Sequence, residues 1–449
     1  MLAQAVLCVT LCREFAAAPL LAEMDALQCG GGVWGRVSWR DGRTAVCPYS
    51  GWGEGEVWCV KGGTYLWGMS LRPSKLPHVG TTIFTVMSKL AMEHGALNLG
   101  QGFPGFPMDY RLCDMVLEQM RANRNQYAPM TGVPELRLLL SNKMKAAYGY
   151  SYDPESEITV TAGGTQAIFT IIAAVVHAGD EVLSFAPAYD CYAPTVELQG
   201  ATMKWVNLRY PDYSIDWQQV RTQITPRTRM IIINTPHNPT GMCMTAADML
   251  ELQTIANEHD LLVLSDEVYE HIVFDGGTHE SVARYPDLAK RSLIVYSFGK
   301  TFHNTGWKMG YVCAPAELMA EVRKVHQYNV FSVNTPVQYA LAEYMNDAST
   351  YSGISEMYEA KRNVFVRALE GSRFVLKPAA GAYFQLLDYS GITDEGDFEF
   401  AKRLTREKKI TGVPCSVFFP DLQDDKVLRF CFAKNDDELL LAAEILRSI

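Results

Sequence analysis

The feature that most restricts how this chain can fold is a unit that recurs after Met69. A short apolar, β-branched run ends abruptly in small, polar or glycine residues, and in several cases a helical stretch follows. The runs fall at residues 159–161, 181–185, 230–234, 261–265 and 293–296, with helical periodicity at 166–177 and 246–259. Strands alternating with helices require a mostly parallel sheet with helices on its faces, an α/β architecture. Such a sheet binds ligands beyond the carboxyl ends of its strands. Chemistry is therefore expected in the segments that break each run. Beyond about Asp347 the texture changes to a helix at 356–369, short strands and a last helix at 437–447, which reads as a smaller α/β domain with residues 75–102 folding back onto it.

Lys300 stands just past the run ending at Tyr296, inside Ser-Phe-Gly-Lys-Thr-Phe-His-Asn-Thr-Gly-Trp-Lys-Met-Gly, residues 297–310. A lysine held in a partly desolvated site has a lowered pKa and can form a Schiff base with a carbonyl cofactor. Most lone lysines are solvated loop residues, so its company decides. Gly163-Gly164-Thr165 lies at a strand-to-helix junction, where exposed amides and the helix dipole suit a phosphate, although glycine also serves such junctions for backbone reasons. The turn Asn234-Thr235-Pro236-His237-Asn238-Pro239-Thr240-Gly241 can present Asn238 to a ligand, and its plainer reading is turn chemistry alone. Asp266, where the run at 261–265 ends, should be partly buried and in need of a donor or cation; a protonated ring nitrogen or an ordinary salt bridge would serve. Arg429 is a lone charge in Val-Leu-Arg-Phe-Cys-Phe, suited to bidentate recognition of a carboxylate or to a structural ion pair. Polar groups gathered at strand ends around one crevice are much harder to ascribe to chance than any one of them.

These residues, with Ser74-Lys75-Leu76-Pro77, Gly80-Thr81-Thr82-Ile83-Phe84, Asn98-Leu99-Gly100-Gln101-Gly102-Phe103-Pro104 and Asn125-Gln126-Tyr127-Ala128-Pro129-Met130-Thr131-Gly132, resemble the class I pyridoxal-phosphate aminotransferases of fold type I. The resemblance runs from Ser74 to Ile449 and is strongest to the kynurenine and glutamine transaminases and the bacterial methionine aminotransferases. It implies a large domain with a mostly parallel seven-stranded sheet and a smaller α/β domain, divided as an atypical extension at 1–69, an arm at 70–108, a large domain at 109–346 and a small one at 347–449. It implies that Lys300 carries pyridoxal 5'-phosphate as a Schiff base and then moves the substrate proton, and that Asp266 keeps the ring nitrogen protonated. Asn238 and Tyr269 would bond the ring hydroxyl, and Tyr189 would stack on the ring. The phosphate would be held by backbone at Gly163, Gly164 and Thr165 with Ser297 and Lys308. Tyr127 would reach the phosphate of a neighbouring subunit in a homodimer. Arg429 would clamp the substrate carboxylate, helped by Asn238 and the Gly100 backbone. Two positions depart from relatives: Gly163 replaces a serine found in many, removing one phosphate contact, and Lys308 replaces the arginine of aspartate aminotransferases. No second arginine for a dicarboxylate side chain can be placed, so methionine, phenylalanine or kynurenine suits the chain better than aspartate.

The bulk properties narrow the alternatives. A formal net charge of −10 leaves no electrostatic footprint for nucleic acid or an anionic membrane. No run of eighteen apolar residues suggests a membrane span, and no Cys-x-x-Cys pair suggests a metal site. Cys113, Cys191, Cys243, Cys313, Cys415 and Cys431 sit in apolar contexts and read as core thiols of a reducing, cytoplasmic compartment. Residues 1–69 are out of character, rich in glycine and holding five of the eight tryptophans. A leader peptide, a small Trp-rich module and an extension upstream of a start at Met69 compete for them, and the last fits the abrupt return to ordinary composition. Three activities then compete: transamination of a neutral thioether or aromatic amino acid, β-elimination from cysteine S-conjugates at the same lysine, and a catalytically silent sensor domain. The sensor would need a DNA-binding module, and residues 1–69 carry no helix-turn-helix pattern.

Overall fold

The computed structural model describes residues 73–449 together with backbone segments at 28–29, 32–33, 38–40 and 44–46, and the chain divides into two compact units, Met1–Ser74 and Lys75–Ile449. In the first unit Gln28–Cys29 pairs with Gly32–Val33 and Ser38–Arg40 with Thr44–Val46, both antiparallel. The remaining expectations for residues 1–69 lie outside the described residues.

The second unit is built on seven strands: β1 (Ile158–Thr161), β2 (Glu181–Ala186), β3 (Thr202–Asn207), β4 (Thr228–Asn234), β5 (Leu262–Asp266), β6 (Ser292–Ser297) and β7 (Gly310–Cys313). Their order across the sheet is β1-β7-β6-β5-β4-β2-β3. All neighbours are parallel except β7, which runs against both β6 and β1. Two strands add to those read from the sequence. β3 is an edge strand, half-exposed along most of its length, so its apolar signal is weak. β7 has only the short run Gly-Tyr-Val-Cys.

The central strands are apolar on both sides because both sides are covered. Along β4, Ile231 and Ile233 enter one core cluster while Met230 and Ile232 enter the other, the alternation that a pleated strand imposes. Helices α1 (Ile83–His94), α2 (Pro134–Tyr148), α3 (Gly164–Val175) and α4 (Ala246–Glu258) belong to the same unit. Thr245 starts α4 through a reciprocal capping box with Asp248. A further short helix, α5 (Phe298–Thr301), begins directly where β6 ends.

Toward the C-terminus, β8 (Phe384–Asp388), β9 (Val413–Pro414) and β10 (Val427–Cys431) form a three-stranded antiparallel sheet in the order β8-β10-β9. Helices α6 (Ile354–Ala368) and α7 (Asp436–Arg447) pack with it around a third apolar cluster. Leu97–Asn98, ahead of the large sheet, pairs in parallel with Ile410–Thr411.

Candidate active site

The strand ends converge as a twisted parallel sheet requires. β4, β5 and β6 are adjacent and parallel, and they deliver Asn234–Asn238, Asp266 and Ser297–Lys300 to one edge. Because β7 is antiparallel, its start lies at that same edge and brings Lys308 there. β1 adds Gly163 and Gly164 at the start of α3. Gly163 has φ +83°, open to glycine at little cost, and a Cβ there would lie 3.6 Å from the Lys308 Cε. Gly310 admits no side chain at all: a Cβ would stand 2.6 Å from the Tyr296 carbonyl oxygen. The first amides of α3 and the Lys308 ammonium thus converge into a place suited to a phosphate-sized anion.

Asp266 is 4% exposed. Its Oδ2 accepts a 2.6 Å hydrogen bond from the Tyr192 hydroxyl, while Oδ1 has only a long contact, 3.4 Å, from the Val268 amide. Burial pushes this carboxyl up to about 6, against the pull of Tyr192, Val268 and Lys300. A buried carboxylate satisfied on one side only is suited to a cationic partner on the other. The Asn234 side chain holds the strand end, donating from Nδ2 to the Asp266 carbonyl at 2.8 Å and accepting from the Asn238 amide at 2.7 Å.

Lys300 lies on α5, half-buried, and its Nζ donates to the Tyr383 hydroxyl at 3.0 Å and to the Gly102 carbonyl at 3.2 Å. Tyr383 in turn donates to Gly102 at 2.7 Å. Both partners are neutral, so desolvation dominates and lowers the lysine to about 8. The rings of Tyr269 and Tyr383, edge to face with centroids 5.1 Å apart, flank the amine.

Arg429 is 1% exposed and sits in the middle of β10 rather than at an end of the large sheet. Its Nη1 donates to Asn238 Oδ1 at 2.6 Å and its Nη2 to the Gly100 carbonyl at 3.0 Å. Nε has no partner among the described residues. Phe384, Phe84 and Phe418 surround the guanidinium at 4.1, 5.2 and 5.2 Å. No carboxylate among the described residues forms a salt bridge with it, so the structural ion pair considered from the sequence is not formed, although its charge acts at longer range on Asp190. The Gly100 amide is occupied by Asn98 Oδ1 at 2.9 Å, so Gly100 enters the site through its carbonyl.

Of the remaining expected residues, Tyr189 and Thr165 meet through their hydroxyls at 3.3 Å beside the α3 terminus, and Ser297 ends β6. Tyr127 stands apart. It is 82% exposed and contacts Phe331, ring centroids 5.1 Å apart. Tyr192, Tyr383, Asn234 and the Gly102 carbonyl do not stand out in the sequence as site residues. Tyr192 alone has a signal there, lying three residues beyond Tyr189.

An amine beside a half-satisfied acid, an anion cradle and an unpaired buried guanidinium is the equipment for moving an amino group between carboxylate-bearing molecules. Comparison with known proteins agrees. The family model for aminotransferases of class I and II matches residues 95–446. The chain belongs to this family. It is 47% identical to the methionine aminotransferase of Escherichia coli strain K12 over 377 residues, covering 84% of this chain and 98% of the relative. Mouse kynurenine–oxoglutarate transaminase 3 is 34% identical, covering 83% of this chain and 89% of that one. Among solved structures, YbdL of Escherichia coli, described as having a methionine aminotransferase function, superposes with a TM-score of 0.83 at 46% identity, covering 84% of this chain and 100% of that one. The N-succinyldiaminopimelate aminotransferase of Mycobacterium tuberculosis follows with a TM-score of 0.81 at 35% identity, covering 84% and 100%. This aminotransferase therefore acts on an amino acid and a 2-oxo acid. Among its described residues, no helix is long and apolar enough to cross a membrane, and no cluster of side chains could hold a metal ion.

Proposed function

We propose that this aminotransferase uses pyridoxal 5'-phosphate and takes the amino group of a neutral thioether or aromatic amino acid, methionine foremost, passing it to a 2-oxo acid in a ping-pong cycle. The observation that carries the reading is the pairing of Lys300, lowered to about 8 by burial, with Asp266, raised to about 6 and satisfied on one oxygen only. The residues fit the cofactor: an amine for its aldehyde, a buried acid for its ring nitrogen, and Gly163, Gly164, Thr165, Ser297 and Lys308 for its phosphate. Asn238 and Tyr269 flank the same space for the ring hydroxyl, and Tyr189 for the ring face. When bound, the cofactor supplies an aldehyde and a protonated ring that withdraws electron density from the substrate α-carbon.

The protein's own steps follow from its geometry. Lys300 has a substantial neutral fraction near pH 8, so its Nζ can take the proton from the substrate α-carbon and return it elsewhere. Tyr383 and Gly102 hold that nitrogen in place through two hydrogen bonds. Asp266 would hold a proton on the ring nitrogen of a bound cofactor, and Tyr192 fixes the carboxylate that would do so. Arg429 receives the substrate carboxylate through its free Nε edge, with Asn238 and Gly100 fixing the guanidinium plane. The phenylalanine rings packed about Arg429 bring no second cation for an acidic side chain, which suits apolar and thioether donors.

Exposed Tyr127 fits a homodimer in which it completes the neighbouring site. The return of Leu97–Asn98 to Ile410–Thr411 fits an arm at 70–108 joined to a small domain at 347–449, with 109–346 as the cofactor domain. Six unpaired cysteines among the described residues fit a cytoplasmic setting.

A second reading is a kynurenine–oxoglutarate transaminase, which the name of the mouse relative supports, or a glutamine–phenylpyruvate transaminase, with β-lyase side activity on cysteine S-conjugates. Initial rates with methionine, kynurenine, phenylalanine and glutamine as donors separate the two. The proposal expects the highest kcat/KM for methionine; a kynurenine value above it would select the second reading. Release of pyruvate and free thiol from an S-conjugate would register the lyase reaction.

A further inference from the structure

Behind the site, on the opposite side of the sheet from Asp266, lies a buried polar assembly that the chemistry above does not use. Glu267 is 0% exposed. Its Oε1 accepts from Ser265 Oγ at 2.8 Å and the Val282 amide at 3.1 Å, and its Oε2 meets the Tyr296 hydroxyl and His279 Nε2, each at 3.0 Å. Three residues on, Glu270 Oε1 accepts from Lys143 Nζ at 2.6 Å and Oε2 from the Tyr148 hydroxyl, with His271 Nε2 3.5 Å away. Lys143 also donates to the Tyr311 hydroxyl at 3.0 Å. The two halves are joined by Tyr296 and Tyr311, cross-strand partners on β6 and β7 whose rings stack at 4.7 Å. The Lys143 ammonium stands 5.1 Å from the Tyr296 ring centre.

The placement of these residues in the chain is the informative part. Glu267 immediately follows Asp266, Glu270 immediately follows Tyr269, Tyr296 immediately precedes Ser297, and Tyr311 lies in the strand that Lys308 leads into. The segments that bear Asp266, Tyr269, Ser297 and Lys308 therefore each have a near neighbour anchored here. Lys143 comes from α2, an element that contributes nothing directly to the site, and is 6% exposed. A buried ion pair is a poor way to gain stability, because apolar residues of equal volume commonly do as well. Charge-assisted hydrogen bonds do fix distance and direction.

We propose that Lys143, Glu270, Tyr311, Tyr296 and Glu267 form a positioning frame that sets Asp266 and Tyr269 relative to Lys300 and Lys308. Lys143 is the member that locks the frame to α2. The frame touches neither substrate nor cofactor. Its purpose rests on the reading of Lys300 as the cofactor lysine.

The test compares full-length wild type with Lys143→Met, Lys143→Arg and Tyr311→Phe. Melting temperature, the dissociation constant of the apoenzyme for pyridoxal 5'-phosphate, and kcat and KM for the amino donor are measured for each. Misplacing reacting groups by about 1 Å costs on the order of 100-fold in rate, so Lys143→Met should lower kcat by about 10- to 100-fold. Cofactor binding should weaken in parallel, with KM for the donor nearly unchanged because Arg429 stands on a separate sheet. Lys143→Arg, which keeps the charge, should recover most of the loss, and Tyr311→Phe should show a smaller loss of the same kind with its ring packing intact. The frame is merely structural if Lys143→Met melts earlier yet its folded fraction keeps the wild-type kcat and cofactor affinity. Should Lys143→Met fail to fold, Tyr311→Phe decides, and wild-type kcat and cofactor affinity in that variant would overturn the frame equally. Wild type that binds no pyridoxal 5'-phosphate would overturn the reading of Lys300 and the frame's purpose with it.

Discussion

Asp266 and Glu267 are consecutive buried acids with opposite fates. A strand turns successive side chains to opposite faces, so Asp266 leaves β5 toward Tyr192 while Glu267 leaves it toward Tyr296 and His279. Behind the sheet both oxygens of Glu267 are met by two protein groups each. In front Asp266 has one short hydrogen bond. The same contrast recurs between Asp266 and Glu270. Burial pushes both carboxyls up, but at Glu270 the Lys143 charge, His271 and the Lys143 and Tyr148 hydrogen bonds outweigh it and hold the group down at about 2. At Asp266 burial wins and the group rises to about 6. The frame is self-sufficient and the crevice is not, and an incomplete set of partners is what marks a place built for something else to bind.

The largest break in this comparison should come from Asp266→Asn. It keeps an acceptor for Tyr192 but cannot hold a proton on a bound ring nitrogen, and loss of such an electrostatic partner is worth about 100- to 1,000-fold in kcat. Steady-state rates with saturating cofactor check this; a change of less than about tenfold would separate Asp266 from the chemistry.

How much of this is legible in the sequence depends on the kind of contact. Asp266, Lys300, Asn238 and Gly164 closely follow apolar runs, so the run itself points to them. Arg429 is legible as a charge in an apolar strand, though its place in mid-strand of the small sheet is not. Tyr383 and the Gly102 carbonyl, which hold Lys300, come from positions 83 and 198 residues away. A backbone carbonyl has no signature in a sequence, and one tyrosine among several has little. The edge strand β3 is hidden by its half-exposed pattern. The frame escapes a sequence reading because Lys143 sits in a helix of ordinary amphipathic composition, where a lysine reads as solvated.

A smaller effect sharpens the comparison in stability. In the cofactor-free protein the raised pKa of Asp266 means that the folded state binds its proton more tightly than the unfolded chain does. That contribution is fully present below the ordinary carboxylate range and is lost as pH rises through about 6. Asp266→Asn should therefore stabilise the apoenzyme at pH 8, by up to about 3 kcal/mol. Glu270 carries the opposite sign: its lowered pKa contributes stability above its unfolded value, lost as pH falls toward about 2. Glu270→Gln leaves the Lys143 charge buried without a counter-ion and should destabilise at pH 8 by about 3 kcal/mol. Denaturant melts of the two apo variants at pH 8 and pH 5 read both signs, and shifts in the same direction at pH 8 would erase the distinction between front and back.

The most direct test of the central claim is the visible absorption of purified full-length protein, supplied with pyridoxal 5'-phosphate, before and after L-methionine is added alone, with Lys300→Ala alongside. Freed of unbound cofactor, the wild type should show a cofactor band that fades with methionine, returns when a 2-oxo acid follows, and does not cycle in Lys300→Ala. A band that methionine leaves unchanged would contradict the donor assignment, and the absence of any band would contradict the role given to Lys300.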